Sequence, residues 1–390
     1  MKKNILLLGL VALSQLAMAQ VTDPMITNWW FNSTNRYKGI LTDVEAVYYN
    51  TQYVWVKASG IPNYYQDGVT HNDGKDLQAT WQIPRVPQQS SNPTGVQGGQ
   101  MGLMMDGSVF FHPGDAQSYN NAGVWNRLAY YFEGMDMDAS NGHSTPTNMY
   151  HHHFDNLKMH DWDATKHSPI VAFAWDGYPV YGPYGYTNAD GTGGIKRMET
   201  SYAVSGATTR TNGPAMGGQY IDGCFIEDWK YTAGSGDLDE HNGRFCKTPE
   251  YPNGTYAYFT TVDASLKPIY PYFIGPTFYG VAGNANNGPN GGKSTPATGS
   301  TTYLSVDDAA AAIEANIEMY PVPVVSELNI KLKENRNYTL TLYNTQGAIL
   351  QTKHINSSAT VDMSNLSYGV YFVQLSDGNG TGFVKRIVKQ

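Results

Sequence analysis

Six of the ten histidines of this 390-residue chain fall between His143 and His167, and three of them are consecutive behind Tyr150. On an extended segment alternate side chains share a face, so His151 and His153 project together while His152 points the other way. An H-x-H pair on a strand can put two imidazoles on one ion, and a third ligand has to come from a neighbouring loop. His143, behind Gly142, is the nearest candidate. All-nitrogen ligation favours copper or zinc, with calcium less suited. A buried hydrogen-bonded histidine network and an acid/base role remain open alternatives for the same pair. His152 reads as structural, and His160 and His167 as ordinary polar residues.

Other residue types are weaker leads. Asp136-Met-Asp-Ala-Ser-Asn-Gly142 and Asp237-Leu-Asp-Glu-His-Asn-Gly243 both read D-x-D-x-x-N-G. They miss the order of a calcium loop, and Asx-turns that fix loop shape explain them as well. Asp176-Gly-Tyr-Pro-Val-Tyr places a carboxylate on a turn before stiff aromatic backbone. A surface hydrolase acting on carbohydrate would pair Asp176 with Asp237, Asp239 or Glu240 across a cleft. A non-catalytic adhesion or structural module is the third reading. No nucleophile elbow, zinc-protease helix, phosphate loop or dinucleotide fingerprint is present. Catalytic residues are therefore not assigned.

The elements that must hold these residues are strands. Short β-prone runs such as Ala46-Val-Tyr-Tyr, Tyr53-Val-Trp-Val and Tyr256-Ala-Tyr-Phe alternate with Gly, Pro, Asn and Asp, and no long segment keeps a helical period. A small helix near Ala122–Tyr131 is expected, because Val124, Leu128 and Tyr131 would share its face. The chain is thus mainly β: a loop-rich domain over 20–280, a linker over 281–319 with a short helix from Val306 to Met319, and a small β-sandwich over 320–390. In that last module Leu328-Asn-Ile-Lys-Leu and Tyr338-Thr-Leu-Thr-Leu alternate apolar and polar residues, and Asn344–Gly347 and Asp377–Gly380 read as hairpin turns.

Residues 1–19 read as a secretory signal peptide, with Lys2 and Lys3, a short apolar run and Ala17-Met-Ala19 before the cut. No later segment is long and apolar enough to span a membrane. A net charge of −8 offers no field for nucleic acid. Export into an oxidising compartment suggests a disulfide between Cys224 and Cys246, worth roughly 3 kcal/mol for a loop of this size.

Two resemblances follow. Tyr320-Pro-Val-Pro, Leu342-Tyr-Asn-Thr-Gln-Gly, Val361-Asp-Met-Ser-Asn-Leu-Ser-Tyr-Gly-Val-Tyr and Val384-Lys-Arg-Ile-Val-Lys resemble the C-terminal sorting domain of type IX secretion. The resemblance implies an Ig-like sandwich, the type IX machinery as partner, passage across the outer membrane, removal of the tail, and a secreted or cell-surface product. Gly142-His143, Tyr150-His-His-His153, the run His167–Gly185 and the run Gly236–Phe259 resemble the YHYH domain family, found in exported bacterial proteins. The second tyrosine of the family's motif is His152 here. In that family the positions of Ser140 and His241 are often Cys, which implies that the two D-x-D-x-x-N-G loops lie side by side and bring Asp237, Asp239, Glu240 and His241 toward the histidines.

Overall fold

A computed structural model describes residues 21–31, 36–96, 98–156, 158–286, 291–305, 316–345, 347–377 and 382–390. The stretch expected as a signal peptide, 1–19, lies outside the described residues, as do most of the helix expected from Val306 and residues 378–380 of the expected turn.

Eight strands make the central sheet: β1 (Gln100–Met104), β2 (Val109–Phe111), β3 (Gly142–Ser144), β4 (Tyr150–His152), β5 (Ile170–Ala174), β6 (Pro179–Tyr181), β7 (Gly243–Cys246) and β8 (Thr255–Phe259). Their order is β3-β4-β2-β1-β5-β6-β8-β7. Read from the middle outward, the two halves have the same plan. β1–β2 and β5–β6 are hairpins, β4 and β8 each lie parallel to the second strand of a hairpin, and β3 and β7 close the two ends antiparallel. The halves meet where β1 and β5 pair antiparallel through Leu103 and Phe173. Every residue of β5 is buried, as a strand covered on both faces must be.

A four-stranded sheet packs into the same core. It runs in the order 301–305, 44–49, 53–58, 79–84. Along Ala79–Pro84 alternate residues point inward, and Trp81 stacks on Trp175 of the central sheet's β5–β6 turn at 5.6 Å between ring centroids. Burial of rings this size supplies most of the driving force for joining two sheets.

The tail is a separate sandwich core. Sheets of three strands (317–320, 327–332, 359–362) and four strands (338–343, 349–355, 369–376, 382–389) share Leu328, Ile330, Leu340, Leu342, Val361, Val373 and Ile387, all buried. The alternation at Leu328 and Tyr338 thus forms the strands that it predicts, and the turn Asn344–Gly347 joins two of them with Gly347 at positive φ. No helix among the described residues is long and apolar enough to cross a membrane.

Three expectations change. The helix over Ala122–Tyr131 is replaced by a short strand at Asn126–Leu128 and one helical turn at Ala129–Phe132, because Val124 and Tyr131 stay exposed and only Leu128 needs a core face. The stretch expected as linker is partly structural: Thr301–Ser305 pairs with Tyr49–Ala46, buried Asn286 exchanges two hydrogen bonds with the Gln82 backbone, and Ile317–Tyr320 is already a strand of the tail.

The expected disulfide is absent. Cys224 and Cys246 are free and buried at two different places. Cys224 sits beside the buried Arg210–Asp228 ion pair, and Cys246 ends the outermost strand β7. Spacing in sequence says nothing about the distance that a bridge requires. Burial pushes the Cys224 thiol up to about 11 and raises that of Cys246. Ellman titration without reductant should give two thiols per chain in guanidinium and almost none in the native protein; zero under denaturing conditions would restore the bridge.

Candidate metal centre

The turn before β3 decides where His143 points. Asp138 accepts hydrogen bonds from the backbone N–H groups of Ser140 (2.8 Å) and Gly142 (3.1 Å) on one oxygen and from the Tyr150 hydroxyl (2.7 Å) on the other. Asn141 takes the left-handed conformation (φ 61°) that Asn tolerates better than most residues. At Gly142 a Cβ would overlap the Tyr150 hydroxyl, so only glycine lets β3 lie against β4 in this register. The register places Gly142 opposite His152 and His143 opposite His151.

On β4 the alternation works as expected. His152 turns away from the other two, with Nδ1 3.1 Å from the Asn141 carbonyl and Nε2 3.3 Å from the Tyr64 hydroxyl. Its role is structural. His151 and His153 face each other with their Nε2 atoms 3.1 Å apart. A ligand atom from each of His143, His151 and His153 lies within 4.8 Å of the others, and all three residues are buried.

The outer nitrogens explain the inner ones. His151 Nδ1 lies 3.1 Å from the Met149 carbonyl and His153 Nδ1 2.7 Å from the His112 carbonyl. A carbonyl only accepts, so both Nδ1 atoms carry protons and the neutral rings turn their Nε2 lone pairs inward. The Phe111 ring stacks on His151 at 4.0 Å between centroids and fixes its plane. Two nitrogens on a tetrahedral ion at about 2.0–2.1 Å are about 3.3 Å apart, close to what is observed. Two lone pairs facing each other at this distance need a proton or a metal ion between them.

Carboxylates complete the surroundings. Glu133, just after the helical turn Ala129–Phe132, places Oε2 3.2 Å from His153 Nε2 and 3.7 Å from His143 Nε2. Asp136 Oδ2 lies 3.4 Å from His143 Nδ1. Neither contact is legible in the sequence, because both are made across a loop with no fixed spacing to the histidines. Burial lowers the pKa of His151 well below the ordinary imidazole value, lowers that of His143, and takes His112 down to about 4.

The second D-x-D-x-x-N-G turn repeats the first at the opposite end of the sheet order. Asp239 accepts from the backbone N–H groups of His241 (2.9 Å) and Gly243 (3.2 Å) and from the Tyr256 hydroxyl (2.9 Å), and Asn242 has φ 65°. Both loops are Asx-turns. The two loops lead into strands at opposite ends of the sheet order, and the carboxylates beside the histidines are Glu133 and Asp136. Asp237 pairs with Lys196 at 2.9 Å, His241 bonds to Thr277, and the Glu240 side chain is exposed. Asp176 is fully buried and accepts from Tyr258, Gly280 and Tyr178; burial pushes it up to about 6. Asp176, Asp237 and Asp239 are thus occupied in structural bonds. His160 pairs with Asp155 at 3.1 Å, and His167 with the Ser168 carbonyl.

The equivalent positions of the two halves carry different chemistry. Where the first half has His143, His151 and His153, the second has Arg244, Ala257 and Phe259, in the same register: Gly142 pairs with His152, and Gly243 with Tyr258. The fold does not need imidazoles at these places.

The tail's sandwich marks an exported surface protein. Residues 318–390 match the model of the secretion system C-terminal sorting domain, which directs a chain across the outer membrane to the cell surface. Residues 80–270 match the YHYH protein model, so the body of the chain carries a YHYH domain. Among solved structures it is similar to PorZ, titled an essential bacterial surface component of the type-IX secretion system of Porphyromonas gingivalis, at 12% identity and a TM-score of 0.18. That match covers 89% of this chain, which spans about half (51%) of the PorZ chain. No curated protein matches.

Burial depresses the pKa of His112, His143 and His151, so each ring stays neutral in the folded chain where the unfolded chain would protonate it. Buried carboxyls pull stability the other way over the same range, Asp43 raised to about 7 and Asp176 to about 6. The rings are therefore followed singly: in chelator-treated protein the imidazole NMR signals of His112, His143 and His151 should remain those of neutral rings at about pH 6, and titration of all three at about 6.5 would contradict their burial. Gly142→Ala should cost about 1–3 kcal/mol by overpacking, read from the urea midpoint, while Gly134→Ala, which meets nothing within 4 Å, should change it little.

Proposed function

We propose that this protein, exported through its N-terminal signal peptide and carried to the cell surface by its sorting tail, binds a transition metal, copper or zinc, through His143, His151 and His153. One observation carries the reading: the Nε2 atoms of His151 and His153 converge to 3.1 Å while both Nδ1 atoms are committed to backbone carbonyls. Metal-ligating imidazoles are oriented in this way, with the outer nitrogen donating to a fixed acceptor. A hydrogen-bonded network pairs donors with acceptors, as around His152, whose two nitrogens meet the Asn141 carbonyl and the Asn156 amide.

Supporting observations come from burial and from the second half. His143 Nε2 is a buried nitrogen with no hydrogen-bond partner, a costly state for a purely structural residue. The second half builds the same strands with Arg244, Ala257 and Phe259, so selection for folding alone leaves the three histidines unexplained. Calcium fits poorly, since it takes six to eight oxygen ligands.

Untagged protein purified from medium with zinc and copper, then dialysed, should carry about one ion per chain by plasma mass spectrometry. The pair His151→Ala and His153→Ala should abolish it while the far-ultraviolet spectrum is kept. Saturating metal at about a hundred times Kd should stabilise the wild type by about 2.7 kcal/mol, reversed by a chelator. Binding that survives the double substitution would sink the site.

A further inference from the structure

The charges around the histidines go beyond the identity of the three nitrogens. We propose, building on the metal-binding reading, that Glu133 is the fourth ligand and that the site is built for a divalent ion, zinc in particular, rather than copper(I).

Glu133 Oε2 is buried, has no well-formed hydrogen bond, and sits 3.2 Å and 3.7 Å from the Nε2 atoms of His153 and His143. It therefore faces the inner nitrogens of His143 and His153. Its place is fixed from behind, since the Glu133 backbone N–H donates to the Ala129 carbonyl at 2.8 Å and closes the helical turn. The His143 side chain is 6% exposed and its Nε2 is unpartnered, so this nitrogen and the carboxylate form a buried donor pair aimed at a common centre.

Charge balance selects the ion. Three neutral imidazoles leave a dication uncompensated in a buried site, where an unpaired charge is expensive. Glu133 supplies one negative charge at the ion. Asp136, 3.4 Å from His143 Nδ1, supplies a second one shell further out and orients that ring. Two carboxylates match a dication and overcompensate a monocation. The set holds no thiolate, the ligand that favours copper(I), while three nitrogens and one oxygen in a tetrahedron are ordinary zinc ligation. The second half shows the contrast again: the position of His143 is Arg244, a fixed cation, and no ion could be held there.

The test is competition titration of untagged full-length protein with zinc against a chromophoric chelator, and anaerobically with copper(I) against a copper(I) chelator. The wild type, Glu133→Gln, Glu133→Asp and the His151→Ala/His153→Ala pair are compared, with circular dichroism of each. Glu133→Gln should weaken zinc by at least about 10–100-fold and leave copper(I) nearly unchanged; Glu133→Asp should recover part of the loss. Cobalt(II) in the wild type should give the intense visible bands of a four-coordinate ion, diminished in Glu133→Gln. Zinc bound equally tightly by Glu133→Gln, weak six-coordinate cobalt bands, or tighter copper(I) than zinc in the wild type would overturn the inference and leave metal binding intact. A wild type that takes up no metal would end both.

Discussion

A buried carboxylate that ties a turn to the next strand is the constraint on which the site depends. Asp138 has no role at the histidines, yet its bonds to Ser140, Gly142 and Tyr150 set the register of β3 on β4. Slide that register by one residue and His143 moves to the other face of the sheet, opposite to His151. The tyrosine hydroxyl is part of the lock, because it fills the space that a side chain on Gly142 would need. The proposed metal ligation is thus downstream of an ordinary hydrogen-bonded turn.

The same lock closes the other end of the sheet with Asp239, Gly243 and Tyr256. One backbone design therefore exists twice within one chain, once with inward imidazoles and once without. Such an internal pair separates two demands that are usually confounded. Residues shared by both halves, the Asx carboxylate, the Asn at positive φ, the close-packed Gly and the tyrosine, serve folding. Residues found in one half alone, His143, His151 and His153 with Glu133 opposite, are the ones on which the proposed chemistry rests.

What could be read from the chain follows this division. Local rules sufficed for the H-x-H pair, for the inward turn of His151 against His152, and for the tail strands, because period-two alternation is decided within a few residues. The two repeated turns were visible as letters, but their meaning was not. The turns and the tyrosine repeat in sequence, but the neighbouring partner residues differ (His151 against Ala257, His152 against Tyr258), so the paired half-sheets emerge from strand pairing. Glu133 was invisible for the same reason, since its approach to His153 depends on how a helical turn packs. The misplaced disulfide and the helix over Ala122–Tyr131 both treated spacing as proximity, whereas Cys246 sits on the outermost strand and Val124 in solvent.

The strand Thr301–Ser305 has a bearing on how the body and its sorting tail are parted. It lies beyond the long Gly- and Asn-rich stretch and pairs with residues near position 48, close to the start of the body. The body is therefore laced shut by nearly its last segment, and a chain emerging amino end first leaves the Val44–Tyr49 edge open until that segment arrives. A processing enzyme that cuts after Ser305 frees an intact scaffold. One that cuts earlier strips away the lace and bares a strand edge able to recruit another chain.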